Sequence, residues 1–449
     1  MANTSSPSAI AAAGPIPASA LPLLSLAAFA CGVMMRAADP LLPLLADEFA
    51  VSLGAASTVI TVFSIAYGLA QLFFGPLGDR YGKFLVIAWT SLASAATALM
   101  CALAPGLDSL LAARVLAGVS SAAIITLAMA WIGDVIAYER RQPVLARFMI
   151  GQILGTAAGV QIGGLAADAL QWRLPFFISA AIFLLVGASL LGLNARLPPH
   201  AKVRRTPGGS ALRHMFADFL HIAALPWARL VLLTVFLEGA FVYGPFAFIA
   251  SHLHQRHGIS LTLAGTVIML YGFGGFAFAL ATAPMVRRLG ETGLAMWGGL
   301  SLALSLAVIG LAPVWWLALP ACFCAGMGFY MLHNTLQTHA TQMAPDRRGA
   351  AVSTFAFSFF MGQAAGVGLA GLDDPGVRIP LLPDHARAAG LARLEPVHAL
   401  ARDDVDAVGG DGLREWNVGV VDGGVPDGQA QLVRVAGGKR FNPRGRGMD

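Results

Sequence analysis

The sequence predicts an all-α polytopic membrane protein built from two related six-helix repeats, with six and then five spans visible. Three observations predict it: an excess of apolar residues, eleven apolar runs long enough to cross a bilayer, and motifs that recur in the second half. Of 449 residues, 57% are hydrophobic and only 12% are charged, and the mean hydropathy is +0.70. Soluble domains carry about 25% charged residues, so this composition belongs in lipid. A helix needs about 20 apolar residues to cross the hydrocarbon core. Such runs occupy 21–45, 55–76, 84–104, 108–132, 145–168, 174–195, 229–252, 262–286, 293–312, 314–340 and 350–372.

The first run is expected to stay as a span, because residues 1–20 hold no Lys or Arg and the run exceeds a signal-peptide core. Cys31, Cys101, Cys322 and Cys324 all fall inside spans. That placement suggests neither a disulfide framework nor a zinc site, and the Cys-x-Cys spacing suits helix packing.

Basic residues set the orientation. Fifteen of the nineteen Lys and Arg before Asp373 lie at one set of alternate span ends, among them Arg80, Lys83, Arg140, Arg141, Arg287, Arg288 and Arg347. The opposite ends hold Arg173 and Arg256 with acids such as Asp47, Glu48, Asp108 and Asp168. The positive-inside rule then places the N-terminus in the cytoplasm. The basic pI reports this topology, and no nucleic-acid footprint is read in it.

The second half repeats the first. Gly75-Pro-Leu-Gly-Asp79-Arg80-Tyr-Gly82 returns as Ala283-Pro-Met-Val-Arg-Arg-Leu-Gly290, and Gly151-Gln152-Ile-Leu-Gly155 as Gly362-Gln363-Ala-Ala-Gly366. Glu139-Arg140-Arg141 matches Asp346-Arg347-Arg348 at a closely similar offset. The organisation expected is a cytoplasmic segment 1–20, a six-helix bundle 21–195, a cytoplasmic linker 196–228, a five-span bundle 229–372 and a non-membrane tail 373–449. Within the linker, 211–225 places Leu212, Met215, Phe216, Phe219 and Leu220 on one helical face. This reads as an interfacial helix, with a flexible loop as the alternative.

The Gly75, Asp79, Arg80, Gly82, Lys83 pattern between spans 2 and 3 resembles the helix 2–3 loop of the major facilitator superfamily of secondary transporters. The resemblance implies a major facilitator fold over about 20–372, with two bundles rocking around a central site. It also implies that Asp79 and Arg80 latch neighbouring helix ends in a conformational gating loop. This chain departs at Phe84, where a second basic residue is common. Gly151, Gly155, Gly159, Gly163 and Gly164 in span 5 resemble the antiporter signature of the drug:proton exporters, with Val160 in place of a proline. A stripe free of side chains also suits plain close packing. Arg114, between Leu110 and Gly118, resembles the helix-4 motif linked to proton transfer. Trp172-Arg173-Leu-Pro175 resembles the entry to helix 6.

Ionisable residues inside lipid are expensive and therefore candidate sites. Arg36 and Asp39 are three apart in span 1, on one helix face. Asp39 is read either as a proton- and substrate-binding carboxylate or as a group neutralised by Arg36. Arg114 either assists proton transfer or packs on helix-end carbonyls. Glu238 is the one acid of span 7 and is read as a proton or substrate group. His333, Asn334 and Gln337, with Tyr67 and Gln71, are candidate cavity residues, and helix bridging is their alternative. Gln152, Gln161, Tyr243, Tyr271, Thr338 and Gln363 are weaker candidates. His252, His254 and His257 are read as a solvated outer loop, and no metal site is expected. No nucleotide-binding loop or hydrolase motif occurs, so neither an ATP-driven pump nor a membrane enzyme has support.

After Leu372 the pattern stops, and the last 77 residues hold 12 of the 24 acids. The expectation is that a shifted reading frame near residue 370 replaced the twelfth helix. A disordered extension or a folded outer module are the alternatives. The resemblance thus implies a monomeric inner-membrane carrier, exchanging small organic molecules outward against protons, with the proton gradient in place of any cofactor. A small-metabolite importer or uniporter, or a truncated protein that no longer transports, are the other readings.

Overall fold

Serines open two of the long helices in the same way. Ser52 Oγ accepts from the Ala55 N–H at 3.1 Å, and Ser260 Oγ accepts from the Leu263 N–H at 3.1 Å. Each satisfies one donor that the first helical turn leaves orphaned. The computed structural model describes residues 16–136, 138–202, 211–344 and 347–372. The tail at 373–449 and the expectations placed on it lie outside the described residues, which contain helices and turns but no strand.

Span 1 runs Ala20–Arg36, turns, and continues as Leu42–Glu48. Spans 2 to 6 are Leu53–Tyr81, Lys83–Ala102, Leu107–Val135, Tyr138–Asp168 and Leu174–Arg196. A linker helix, Ala211–Ala224, precedes span 7, which is broken into Pro226–Glu238, a π turn Gly239–Tyr243, Gly244–Phe246 and Ile249–His257. Leu261–Leu311 is 51 residues long and contains spans 8 and 9, separated where Gly290 takes φ 65°. Spans 10 and 11 are Ala318–Gln342 and Arg348–Ala370. The eleven spans expected from hydropathy are therefore all helical.

Spans 1 to 6 pack on one another through the pairs 1–5, 2–4, 3–4, 3–6 and 1–6. Spans 7 to 11 do so through 7–11, 10–11 and the contacts of span 10 with spans 8 and 9. The two sets meet along 2–11 and 5–8. Large apolar side chains such as Trp89, Leu185, Phe241 and Leu280 are exposed on the outside of the helix array. In water such a surface would aggregate; hydrocarbon matches it.

The repeat extends to helix contacts. In span 5, Gly151, Gly155 and Gly163 lie against the backbone carbonyls of Ser25, Phe29 and Ala37, and Gly159 against Val33. Any Cβ there would overlap span 1, so small residues set the interhelical distance. In span 11, Gly362 and Gly366 meet the carbonyls of Phe236 and Ala240 of span 7 in the same manner. The duplicated glycines thus perform the duplicated packing.

Several local expectations are corrected. Gly75 is not a turn residue: the helix runs through Pro76 to Tyr81, and a Cβ at Gly75 would meet no heavy atom within 4 Å. The turn is made by Gly82 alone, at φ 95°, a backbone region that suits glycine. Asp39 does not share a regular helix face with Arg36, because the helix ends at Arg36 and Pro40 follows. The histidine stretch after span 7 is helical to His257, and His254 Nδ1 lies 2.8 Å from the Ile259 carbonyl oxygen.

Candidate functional site

The broken end of span 1 brings Arg36 into the seam between the two sets of helices. Its Nη1 lies 3.5 Å from Asp39 Oδ2, and its Nη2 donates to Gln363 Oε1 of span 11 at 3.3 Å. Gln363 Nε2 in turn donates to Ser64 Oγ of span 2 at 2.9 Å. The guanidinium sits 3.9 Å from the centre of the Tyr243 ring in the π turn of span 7. A cation over an aromatic face keeps part of its stabilisation without water. Arg36, 2% exposed, thus ties spans 1, 7 and 11 directly and reaches span 2 through Gln363. Asp39 Oδ1 is buried with no hydrogen-bond partner.

Glu238 is the last residue before the π turn, and π turns inside helices often mark functional positions. Its Oε2 lies 2.8 Å from His333 Nδ1 of span 10, and its Oε1 is buried without a partner. Phe329 stacks on the His333 ring with centroids 4.9 Å apart, and Phe359 meets its edge at 4.9 Å. An acid and an imidazole in hydrogen-bond contact can hold and pass a proton. Tyr243 lies between the two polar sites: its ring is under Arg36 and meets Phe329 and Phe359, the two rings that pack on His333, while its hydroxyl is 3.2 Å from that of Tyr271.

Arg114 is fully buried and donates to backbone oxygens of Met34 at 2.9 Å and Val59 at 3.2 Å. The Phe63 ring lies 4.1 Å below it. It fastens span 4 to spans 1 and 2, leaving Nη2 unpartnered. Tyr67 packs on Phe360 of span 11 at 4.5 Å, so it too lies in the seam. Gln71 Oε1 accepts from Thr126 Oγ1 at 2.6 Å. Asn334 is exposed and Gln337 half-buried, and neither joins the Glu238 pair.

A cavity of about 750 Å³ opens at the Tyr81 end of span 2. Gly75, Asp79 and Lys83 line it with Thr126 and Asp134 of span 4, and across from them stand Phe219 of the linker helix and Ser353 of span 11. Lys83 Nζ reaches Asp79 at 2.8 Å and Asp134 at 2.7 Å, tying spans 2, 3 and 4 together. Arg80 instead lies over the Tyr81 ring at 5.2 Å, so in this conformation the ion pairs belong to Lys83. Thr126 stands between Gln71 and the cavity. Asp218 of the linker helix pairs with Arg347 at the entry to span 11.

At the opposite end of the molecule the halves are closed on each other. Gly164 lies against the Leu261 carbonyl, Thr266 Oγ1 donates to Gln161 Oε1 at 3.0 Å, and Gly371 approaches Gly54 and Ser57. Asp134, Ser64 and Phe329 are among the contributors that escaped the reading of the sequence. Asp134 carried a signal, as an acid six residues before the basic pair Arg140-Arg141; the other two are ordinary residues of apolar helices.

Eleven helical spans among the described residues, an interior network of ionisable groups and a cavity open at one end define a multi-span membrane transporter. Residues 24–367 match the sequence model of the Major Facilitator Superfamily, and the chain belongs to that family. It is 24% identical over 345 residues to the MFS-type transporter YceJ of Bacillus subtilis, covering 74% of this chain and 83% of that one. It is 26% identical over 348 residues to a chloramphenicol resistance protein of Streptomyces lividans, covering 77% and 86%. Among solved structures, a point mutant of the nucleoside transporter NupG superposes with a TM-score of 0.64 at 15% identity, covering 79% of this chain and 90% of that one. At that identity the likeness concerns the fold alone.

Proposed function

We propose that the protein exports small organic molecules in exchange for protons, by alternating access, from the inner membrane with its N-terminus in the cytoplasm. The observation that carries this reading is buried Glu238, which is paired with the half-buried His333 and keeps an open carboxylate oxygen at a break in span 7. A buried acid with a proton-accepting neighbour is the device a proton-coupled carrier requires. Asp39 is the second titrating group, held by Arg36, while Arg114 keeps spans 1, 2 and 4 in register around it. Seam residues from Tyr67 to Gln363 and the polar residues of span 10 contact the substrate as it passes. The working unit is one chain, and the proton gradient replaces any cofactor.

Support for export comes from the similarity to the chloramphenicol resistance protein over 77% of the chain and from the span 5 glycine stripe. The protein reconstituted in liposomes is expected to drive substrate flux when a proton gradient is imposed. Flux indifferent to collapse of that gradient would refute proton coupling, and no flux at all would refute transport.

A further inference from the structure

Asp168 ends span 5, at the end of the molecule opposite the cavity. Its carboxylate grips the first turn of span 8: Oδ1 accepts from the Leu261 N–H at 2.9 Å and Oδ2 from the Thr262 N–H at 2.7 Å. Both N–H groups are among those an α-helix leaves without internal partners. The negative charge also meets the positive end of the span 8 dipole. Thr262 Oγ1 returns a bond to the Gly164 carbonyl at 3.4 Å, and Gly164 itself lies against Leu261. One carboxylate thus joins the two halves at the closed end with two charge-assisted bonds.

We infer that Asp168 is the latch of the outer gate, a positioning residue that must release the start of span 8 before the protein can open away from the cavity. The inference rests on the alternating-access reading. Opening at this end requires span 5 to part from span 8, and the carboxylate then gives up both N–H groups to water. Contacts of Gly164 and Thr266 close behind it but carry no charge, so the latch sets how readily the gate opens. The mirrored seam brings Gly371 of span 11 to Gly54 and Ser57 of span 2.

The test places spin labels at Gln171→Cys and Gln255→Cys, both exposed at this end, with the four native cysteines replaced by alanine. Distances between the labels report the gate directly, whatever the substrate. Asp168→Asn is expected to raise the open-to-closed ratio about twofold to fivefold, the size of a charge–dipole contact at an exposed helix end. Asp168→Glu should return it part of the way. Leu261→Pro removes one of the two donors and leaves the carboxylate in place. Proline is favoured at the first helical position, and Ser260 at φ −64° and ψ 154° already suits a following proline. It should shift the ratio in the same direction, by less, and it decides the matter if Asp168→Asn does not fold. Wild-type distances that change with the proton gradient but not with either substitution would overturn the latch. A wild-type distance that never changes under any gradient would instead sink alternating access itself.

Discussion

His333 Nδ1 lies 2.8 Å from Glu238 Oε2, joining span 10 to span 7 at the last helical residue before the π turn. The two groups are in hydrogen-bond contact, and Phe329, Phe355 and Phe359 surround the His333 ring. Glu238→Gln keeps the size and an acceptor but cannot change charge. It is expected to abolish uphill transport driven by protons while sparing exchange of labelled for unlabelled substrate. His333→Leu leaves a buried carboxylate without its partner and should destabilise by about 3 kcal/mol. The Glu238→Gln/His333→Leu double substitution should recover part of that loss in a thermal melt. Full proton-driven flux in Glu238→Gln would remove this pair from the mechanism.

The bond from Arg36 to Gln363 crosses the seam. Intramembrane hydrogen bonds contribute about 0.6–2 kcal/mol. A double-substitution cycle of Arg36→Gln and Gln363→Leu should show coupling of that order in stability. The same cycle with Ser64→Ala should show a smaller coupling, since Ser64 touches Arg36 only through Gln363.

Lys83 bridges two carboxylates at the rim of the cavity, with its own side chain 11% exposed. Partly solvated pairs contribute about 0–1 kcal/mol, so Lys83→Met should lower the melting point only slightly. Transport should fall severalfold, because Asp79 and Asp134 then repel each other where spans 2 and 4 must stay aligned. Asp134→Asn in that background is expected to recover activity, measured as initial flux.

Gly155→Ala and Gly75→Ala separate the two kinds of glycine. The first drives a methyl into the Phe29 carbonyl and should cost about 1–3 kcal/mol through overpacking. The second meets open space inside a helix and should stabilise by roughly 0.5–1 kcal/mol. Thermal unfolding followed by monodispersity in detergent reads both.

Much of the fold was legible before any coordinates. Apolar runs of span length located all eleven helices, because lipid demands that each crossing satisfy its backbone internally. The glycine stripe was legible as a close-packing face, since every fourth residue returns to one side of a helix. The sequence misplaced Gly75 because a Gly-Pro pair normally signals a turn, whereas a membrane helix can carry both. It also treated Glu238 and His333 as separate candidates, since the two are 95 positions apart, with spans 8 and 9 between them.

Length, crossing number, the internal repeat and the packing stripe were determined by the sequence alone, because each depends on composition or on local helical period. Which acid meets which base was decided only by tertiary structure. Arg36 finds Gln363, Glu238 finds His333, and Asp168 finds the start of span 8 through the lateral order of helices. That order comes from close packing among side chains far apart in the chain, and a helical period says which residues share a face without saying what the face will meet.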